Sequence, residues 1–328
     1  MEYRLLGKTG IKVSAISLGT WQVGGKWGDT FSHLTADIIL NEAVDAGINF
    51  IDTADVYSDG ESEKAVGRIV RNRSGKIYVA TKCGRQLNPH TNEAYQPAVL
   101  RKFVEDSLKR MQLETLDLIQ LHCPPTEVFY RPEIFELFDR LKEEGKIQHL
   151  GISVEKVEQA LKGIEFSNVT TVQIIYNMFR QRPAELFFQE AKKKNIGIIV
   201  RVPLASGLLT GTFNNNTRFT EGDHRNFNRD GAGFDKGETF SGINYETGLQ
   251  AVEELKAIFP NQANLAPVAL KWILMNDAVN CIIPGASKVE QLTTNLMAFN
   301  VTELTPEQFA AVQKVYDIYI KGQVHQLW

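Results

Sequence analysis

The stretch IYVATKCGRQLNPHTNEAYQPAVLRKFVEDSLKRMQLETLDLIQLH, residues 77–122, decides the fold. It opens on a short β-rich run, Ile77–Lys82, passes through a polar segment into an amphipathic pattern at Ala98–Met111, and ends on a second strand-like run, Leu116–His122. Strand, helix and strand in that order predict a parallel pair joined by a crossover helix. Outward in both directions the unit repeats. Further short runs stand at Ala15–Leu18, Asn49–Asp52, His149–Ser153, Thr171–Gln173, Gly197–Arg201 and Val279–Pro284, making eight in all. Helical patterns lie at Ala36–Ala46, Ser62–Arg71, Pro132–Glu144, Val154–Gly163, Pro183–Lys194, the pair Tyr245–Phe259 and Leu265–Met275, and Val289–Phe299. Eight such units predict an α/β protein, a (β/α)8 TIM barrel. The competing doubly wound sheet usually carries GxGxxG after its first strand, and Leu18-Gly19-Thr20-Trp21 has no such turn.

Helix ends carry chemical punctuation. Ser287-Lys288-Val289-Glu290 and Thr305-Pro306-Glu307-Gln308 fit capping boxes, and Gly47, Gly145 and Gly163 follow helical stretches where a C′ glycine is favoured. A barrel needs about 250 residues, so the 328-residue chain has length to spare. We assign the surplus to decoration of one domain spanning 1–328. Residues 1–14, with Gly7 and Gly10, read as a hairpin plugging the barrel base; 204–242 is a long aperiodic loop after strand seven; 300–328 add a helix and tail.

Composition excludes several classes. At 43% hydrophobic and 23% charged, with a net charge of −3, the chain reads as an ordinary globular protein without the basic footprint of a nucleic-acid or anionic-membrane binder. Cys83, Cys123 and Cys281 form no CxxC pair, which favours a reducing compartment. The opening Met1-Glu2-Tyr3-Arg4 leads into no apolar signal region, and the longest apolar stretch, Ile196–Leu209, is broken by Arg201 and Pro203. A cytoplasmic protein with no membrane segment is therefore expected. The six histidines lack HxH or HxxxH spacing, so no metal site is expected. Oligomeric state leaves no trace in the sequence.

Barrel active sites sit at the C-terminal ends of the strands. Asp52, Lys82 and His122 close the second, third and fourth runs, and Tyr57 follows Asp52 by five residues. Alone, each has an ordinary reading: a turn-capping Asp, a solvated Lys, a structural His, a packing Tyr. Together they read as a proton-donor assembly. A lysine ammonium about 4 Å from a phenol would favour the phenolate by roughly 4 kcal/mol at an effective dielectric near 20, drawing its pKa from about 10 towards about 7. Asp52 would pair with Lys82, and His122 would orient a carbonyl oxygen. Cys123, beside His122, would face the opposite side of its strand.

From about Tyr3 to Phe299 the sequence resembles the aldo-keto reductases. Asp52-Thr53-Ala54-Asp55-Val56-Tyr57 stands as the family's Asp-Thr-Ala-x-x-Tyr, Thr81-Lys82 as its third-strand end, and Asp117-Leu118-Ile119-Gln120-Leu121-His122-Cys123-Pro124 as its Asp-Leu-x-x-x-His-x-Pro segment. The resemblance implies Tyr57 as acid, Lys82 and Asp52 as its tuning pair, His122 as the carbonyl-orienting residue, and a nicotinamide cofactor bound across the barrel mouth. It places Gly19, Thr20 and Trp21 at the cofactor, and Ser153 and Gln173 near the carboxamide. The family often has Asn where Val154 stands, and an aromatic residue where alignment on Pro203 and Leu204 puts Arg201. That guanidinium would stack on the nicotinamide or point to solvent beyond the strand.

Gly207, after strand seven, and Gly285 and Ser287, after strand eight, lie where barrels bind phosphate, although plain strand-to-helix turns fit there too. The resemblance adds Gln291 and Asn295 for the adenosine. Members that grip a 2′-phosphate use Lys-Ser and a later Arg; here Gly285-Ala286 and Gln291 replace them, leaving Lys288 as the cation. NADP(H) is expected, with NAD(H) not excluded. Trp21, Trp27, Tyr57 and the 204–242 loop would wall an apolar substrate pocket, and Trp328 either reaches the mouth or trails in solvent. The expected function is NADPH-dependent reduction of a small-molecule aldehyde or ketone. A slow nicotinamide-binding regulatory subunit, similar to potassium-channel β subunits, and a barrel lyase or isomerase of phosphorylated substrates are the competing readings.

Overall fold

The computed structural model describes all of residues 1–328. A hairpin comes first, β1 (Tyr3–Leu5) antiparallel to β2 (Lys12–Ser14). Eight parallel strands follow in chain order: β3 (Leu18–Gly19), β4 (Phe50–Asp52), β5 (Tyr78–Cys83), β6 (Leu116–His122), β7 (Ile147–Ser153), β8 (Val169–Ile175), β9 (Gly197–Arg201) and β10 (Cys281–Ile282). The ring closes where Ile16 bridges Ile282 and Gly19 bridges Gly285. All eight expected runs are strands of one (β/α)8 barrel. β3 and β10 shrink to two residues each because closure there rests on isolated bridges.

The helices are α1 (His33–Asp45), α2 (Glu61–Asn72), α3 (Pro97–Met111), α4 (Pro132–Glu143), α5 (Val157–Gly163), α6 (Phe187–Lys193), α7 (His224–Phe227), α8 (Tyr245–Ile258), α9 (Ala266–Leu274), α10 (Val289–Leu296), α11 (Pro306–Val315) and α12 (Lys321–Val324). Thr305 and Gln308 form the expected reciprocal capping box on α11. The box expected at 287–290 does not form. Gln291 Oε1 instead accepts from the N–H and hydroxyl of Ser287 at 2.7 and 3.1 Å. Gly47 and Gly145 take the left-handed conformation just past α1 and α4, as expected. Gly163 does not: it is the last residue of α5, and a Cβ there would lie 2.2 Å from Ile152 Cδ1, so close packing on the barrel explains it.

Alternation along the strands builds the barrel interior in layers. Phe50, Ala80, Leu118 and Ile199 form an apolar base layer with Cys281 and Ile283. Leu6, Ile11 and Val13 of the hairpin segment pack into that layer, so the hairpin plugs the base as expected. Two residues further along the same strands stand Asp52, Lys82, Gln120 and Arg201, all buried. The period that fills the base with hydrocarbon therefore fills the top with polar groups. A second, larger core lies between strands and helices.

The 204–242 segment is ordered by short turns: 3-10 turns at Ala205–Thr210, Lys236–Glu238 and Phe240–Gly242, with α7 between. Trp328 is buried at 4% exposure, packed against residues 235–242. No helix is long and apolar enough to cross a membrane.

Candidate active site

Asp52 and His122 close β4 and β6, Lys82 stands one residue before the end of β5, and Tyr57 begins a 3-10 turn just past β4. Lys82 Nζ donates to Asp52 Oδ1 at 2.5 Å, to the Thr53 carbonyl at 2.7 Å and to the Tyr57 hydroxyl at 3.3 Å. The other Asp52 oxygen accepts from Gln120 Nε2 at 3.0 Å and Gln173 Nε2 at 2.8 Å. The four expected side chains are together. Gln120, whose role sequence reasoning missed, braces them, and its place two residues before His122 on an inward-facing period was the available signal.

Electrostatics correct one expectation. Burial is the largest influence on Tyr57 and holds its pKa above the ordinary phenol value, despite Lys82 pulling the other way. The lysine charge alone would lower it, but desolvation penalises the phenolate more. Burial also disfavours the Lys82 charge, but Asp52 and Tyr57 outweigh it and raise that pKa. Lys82 therefore stays cationic beside a neutral phenol. His122 is driven well below its usual value by burial, then by Arg85, Lys82 and Arg201, so its imidazole is neutral. Its Nδ1 is buried without a partner.

A cleft of about 550 Å³ runs from this group across the barrel mouth. Asp52, Tyr57, His122 and Gln173 line it together with Gly19, Thr20, Trp21, Arg201, Pro203, Leu204 and Gly207. Gly285, Ser287, Lys288, Gln291 and Asn295 complete the expected set along its wall. Ser153 does not line the cleft; it is buried, with its hydroxyl 3.6 Å from Cys123 Sγ. Cys123 lies past the end of β6 with φ of 48°, so strand alternation no longer aims it, and its sulfur also lies 3.6 Å from Arg201 Nη2. Arg225, Asn264, Glu290 and Glu238 also line the cleft. In the sequence Glu290 reads only as a capping residue, Asn264 belongs to no motif, and Arg225 and Glu238 arrive from the aperiodic 204–242 segment.

Arg201 neither points to solvent nor stands free. Its guanidinium donates to Glu155 Oε2 at 2.8 Å and lies 3.2 Å from Glu238 Oε2. Arg85 reaches Glu238 Oε1 at 2.9 Å. Within this cluster burial opposes the Glu238 charge, but Arg85 and Arg201 hold its pKa below the carboxylate range, while burial pushes Glu155 above it. Beside the cluster, Trp21 stacks between Tyr57 (ring centroids 6.1 Å apart) and His224 (4.9 Å), with Trp27 and Phe234 edge-on.

The residues fit a nicotinamide dinucleotide. At one end, the Arg201 Nε and His122 Nδ1 atoms are buried and unpartnered. Along the wall, a Cβ on Gly285 would approach Gln22 Nε2 to 3.1 Å, so the glycine keeps that part of the cleft open. Lys288 and Lys26 line the cleft and form no ion pair in the fold.

Comparison with known proteins agrees with this geometry. The model of the Aldo/keto reductase family matches residues 15–317. The aldo-keto reductase YhdN of Bacillus subtilis is 32% identical over 89% of this chain and 87% of its own length. The NADH-specific methylglyoxal reductase of Escherichia coli is 29% identical over 90% of this chain and 93% of its own. The holo form of aldo-keto reductase AKR11C1 from Bacillus halodurans superposes with a TM-score of 0.76 at 29% identity, covering 96% of each chain. With a family match over most of its length and the family's barrel, this chain belongs to the aldo/keto reductases and is an NAD(P)H-dependent oxidoreductase of carbonyl compounds.

Proposed function

We propose that the chain reduces a small aldehyde or ketone to the alcohol with NADPH, Tyr57 supplying the proton. The observation that carries this reading is the buried Lys82 ammonium, held between Asp52 at 2.5 Å and the Tyr57 hydroxyl at 3.3 Å, two residues that line a dinucleotide-sized cleft. Reduced nicotinamide, when bound, supplies hydride to the carbonyl carbon.

The chain's own residues do the rest. Neutral His122 positions the carbonyl oxygen by hydrogen bonding, a role a protonated imidazole would complicate by competing as an acid. Tyr57, neutral and half-buried, gives its hydroxyl proton to the oxygen as negative charge develops there. The fixed Lys82 charge then stabilises the resulting phenolate without reorganisation. Asp52, braced by Gln120 and Gln173, keeps that ammonium aimed. Gly19, Thr20 and Trp21 and the Arg201–Leu204 and Gly207 backbone form the remaining cofactor wall, with Gln173 supporting the carboxamide end. Gly285, Ser287, Gln291 and Asn295 take the adenosine side, and the two unpaired lysines, Lys288 above all, support a 2′-phosphate. Trp21, Trp27 and Phe234 favour an apolar substituent on the substrate.

The test is Tyr57→Phe. Carbonyl reduction should fall by about 10²–10⁴-fold while fluorescence titrations with NADPH and NADH stay as in the parent, NADPH binding more tightly. Turnover unchanged in that variant would overturn the assignment.

A further inference from the structure

We propose that Trp328 is a positioning residue of the cleft. By gripping residues 235–242 it holds Glu238 against Arg85 and Arg201 and thereby slows release of the cofactor. The inference rests on the reading that a nicotinamide cofactor occupies the cleft.

Residues 235–242 have two sides. On the inner side the Glu238 carboxylate meets Arg85 at 2.9 Å and Arg201 at 3.2 Å, and both Glu238 and Arg201 line the cleft. The Glu238 carbonyl accepts from Ser206 Oγ at 3.0 Å, tying the segment to the loop that carries Leu204 and Gly207. On the outer side the indole of Trp328 packs closely against Gly237 and Gly242. A Cβ added to Gly237 or Gly242 would sit 2.7 or 2.5 Å from its ring atoms, so neither position accepts a side chain. The indole N–H donates to Asp235 Oδ1 at 2.9 Å, and the same oxygen accepts the Gly237 N–H at 2.7 Å.

The backbone between these sides needs holding. Phe240, Ser241 and Gly242 are consecutive left-handed residues, with φ of 53°, 60° and 83°. Such conformations persist in non-glycine residues only where the surroundings over-determine them. Part of the restraint comes from Arg180, whose Nη2 donates to the Gly237 carbonyl at 3.2 Å and the Ser241 carbonyl at 3.1 Å, beside the bonds from Asn177 Nδ2 to Ser241 Oγ at 2.9 Å and from the Phe240 N–H to Ser206 Oγ at 3.1 Å. Arg180 is 1% exposed and forms no ion pair, and its Nε has no partner. The face of Trp328, 4.1 Å from the guanidinium carbon, compensates that buried cation as a cation–π partner. Without the indole, water would reach Arg180, the two carbonyl contacts would loosen, and the left-handed turn would relax. Glu238 would then leave the arginines, although no residue of the catalytic group had changed.

Hydrogen exchange on the protein without cofactor, with stopped-flow release of NADPH followed by fluorescence, tests the proposal in Trp328→Ala and Trp328→Phe. In the alanine variant, amides 237–242 should exchange about tenfold faster while those of β6 and β7 stay as in the parent. NADPH release should accelerate by about tenfold, with the single-turnover hydride rate kept. The phenylalanine variant keeps a ring over Arg180 but loses the bond to Asp235, so it should fall between the two, and it serves if the alanine variant folds poorly. Exchange at 237–242 and NADPH release both within about twofold of the parent would overturn the proposal. Failure of the parent chain to bind NADPH or NADH would overturn the cofactor reading alone, since the exchange arm needs no cofactor.

Discussion

Tyr57 and Lys82 show how far residue identity reaches and where it stops. The pairing was readable because strand ends deliver side chains to the barrel mouth. The charge state was not, because desolvation depends on neighbours from other strands. The correction has a kinetic consequence. A phenol raised above its ordinary value stays protonated through neutral and mildly alkaline pH, and an imidazole driven well below 6.5 stays neutral down into acid. The pH profile of kcat/KM for reduction, taken in single-turnover experiments, should therefore be level between about pH 6.5 and 9. An inflection near 7 would show a phenol tuned by its lysine after all.

Asp55 belongs to the same scale. It is buried, both carboxylate oxygens lack hydrogen-bond partners, and burial followed by Glu63 pushes its pKa up to about 7 against the pull of Arg110 and Lys82. A folded-state pKa above the unfolded value means the folded chain holds that proton more tightly. Its contribution is thus fully present below about pH 4 and lost as pH rises through about 7, on the order of 4 kcal/mol. Urea midpoints of the parent and Asp55→Asn, compared from pH 4.5 to 8, should converge or cross as pH rises, the parent losing more. Parallel curves would mean that Asp55 is ionised throughout.

Among the elements, the strands and helices of the barrel were legible because each has its own period and its own end signals. Residues 204–242 were not, since their order comes from individual side-chain bonds within the segment rather than a repeat. Asp223 caps α7 through the Arg225 N–H, His224 Nδ1 meets Thr239 Oγ1 at 3.0 Å, and Asn228 Oδ1 accepts from Gly233 and Phe234. Such bonds are made by side chains common in any polar loop. The hairpin was legible from its glycines, and its value to the fold lies in what it inserts. Leu6 is wholly buried in the base layer beside Gly197. Leu6→Ala should cost about 2–5 kcal/mol in urea unfolding while leaving kcat unchanged, because the polar layer above is carried by other strands. A loss of activity matching the loss of stability would place the hairpin in the catalytic layer.

For the whole molecule, we infer that residues 1–328 form one cooperative unit, since the interior layers draw on the hairpin and on strands from both halves of the chain. The joint between first and last barrel strands is the thinnest part of that unit. β3 and β10 have two residues each and meet through the Ile16–Ile282 and Gly19–Gly285 bridges, whereas β6 and β7 pair over their lengths. The cleft lies across the same joint, lined by Gly19 on one side and Gly285 on the other. Amides of Ser17, Gly19 and Ile282 should accordingly exchange faster than those of β6, and saturating NADPH should slow them more than any other strand amides. Uniform protection around the ring would refute this. The barrel is then a hoop with an unriveted overlap, and the dinucleotide it uses as a reagent doubles as the rivet.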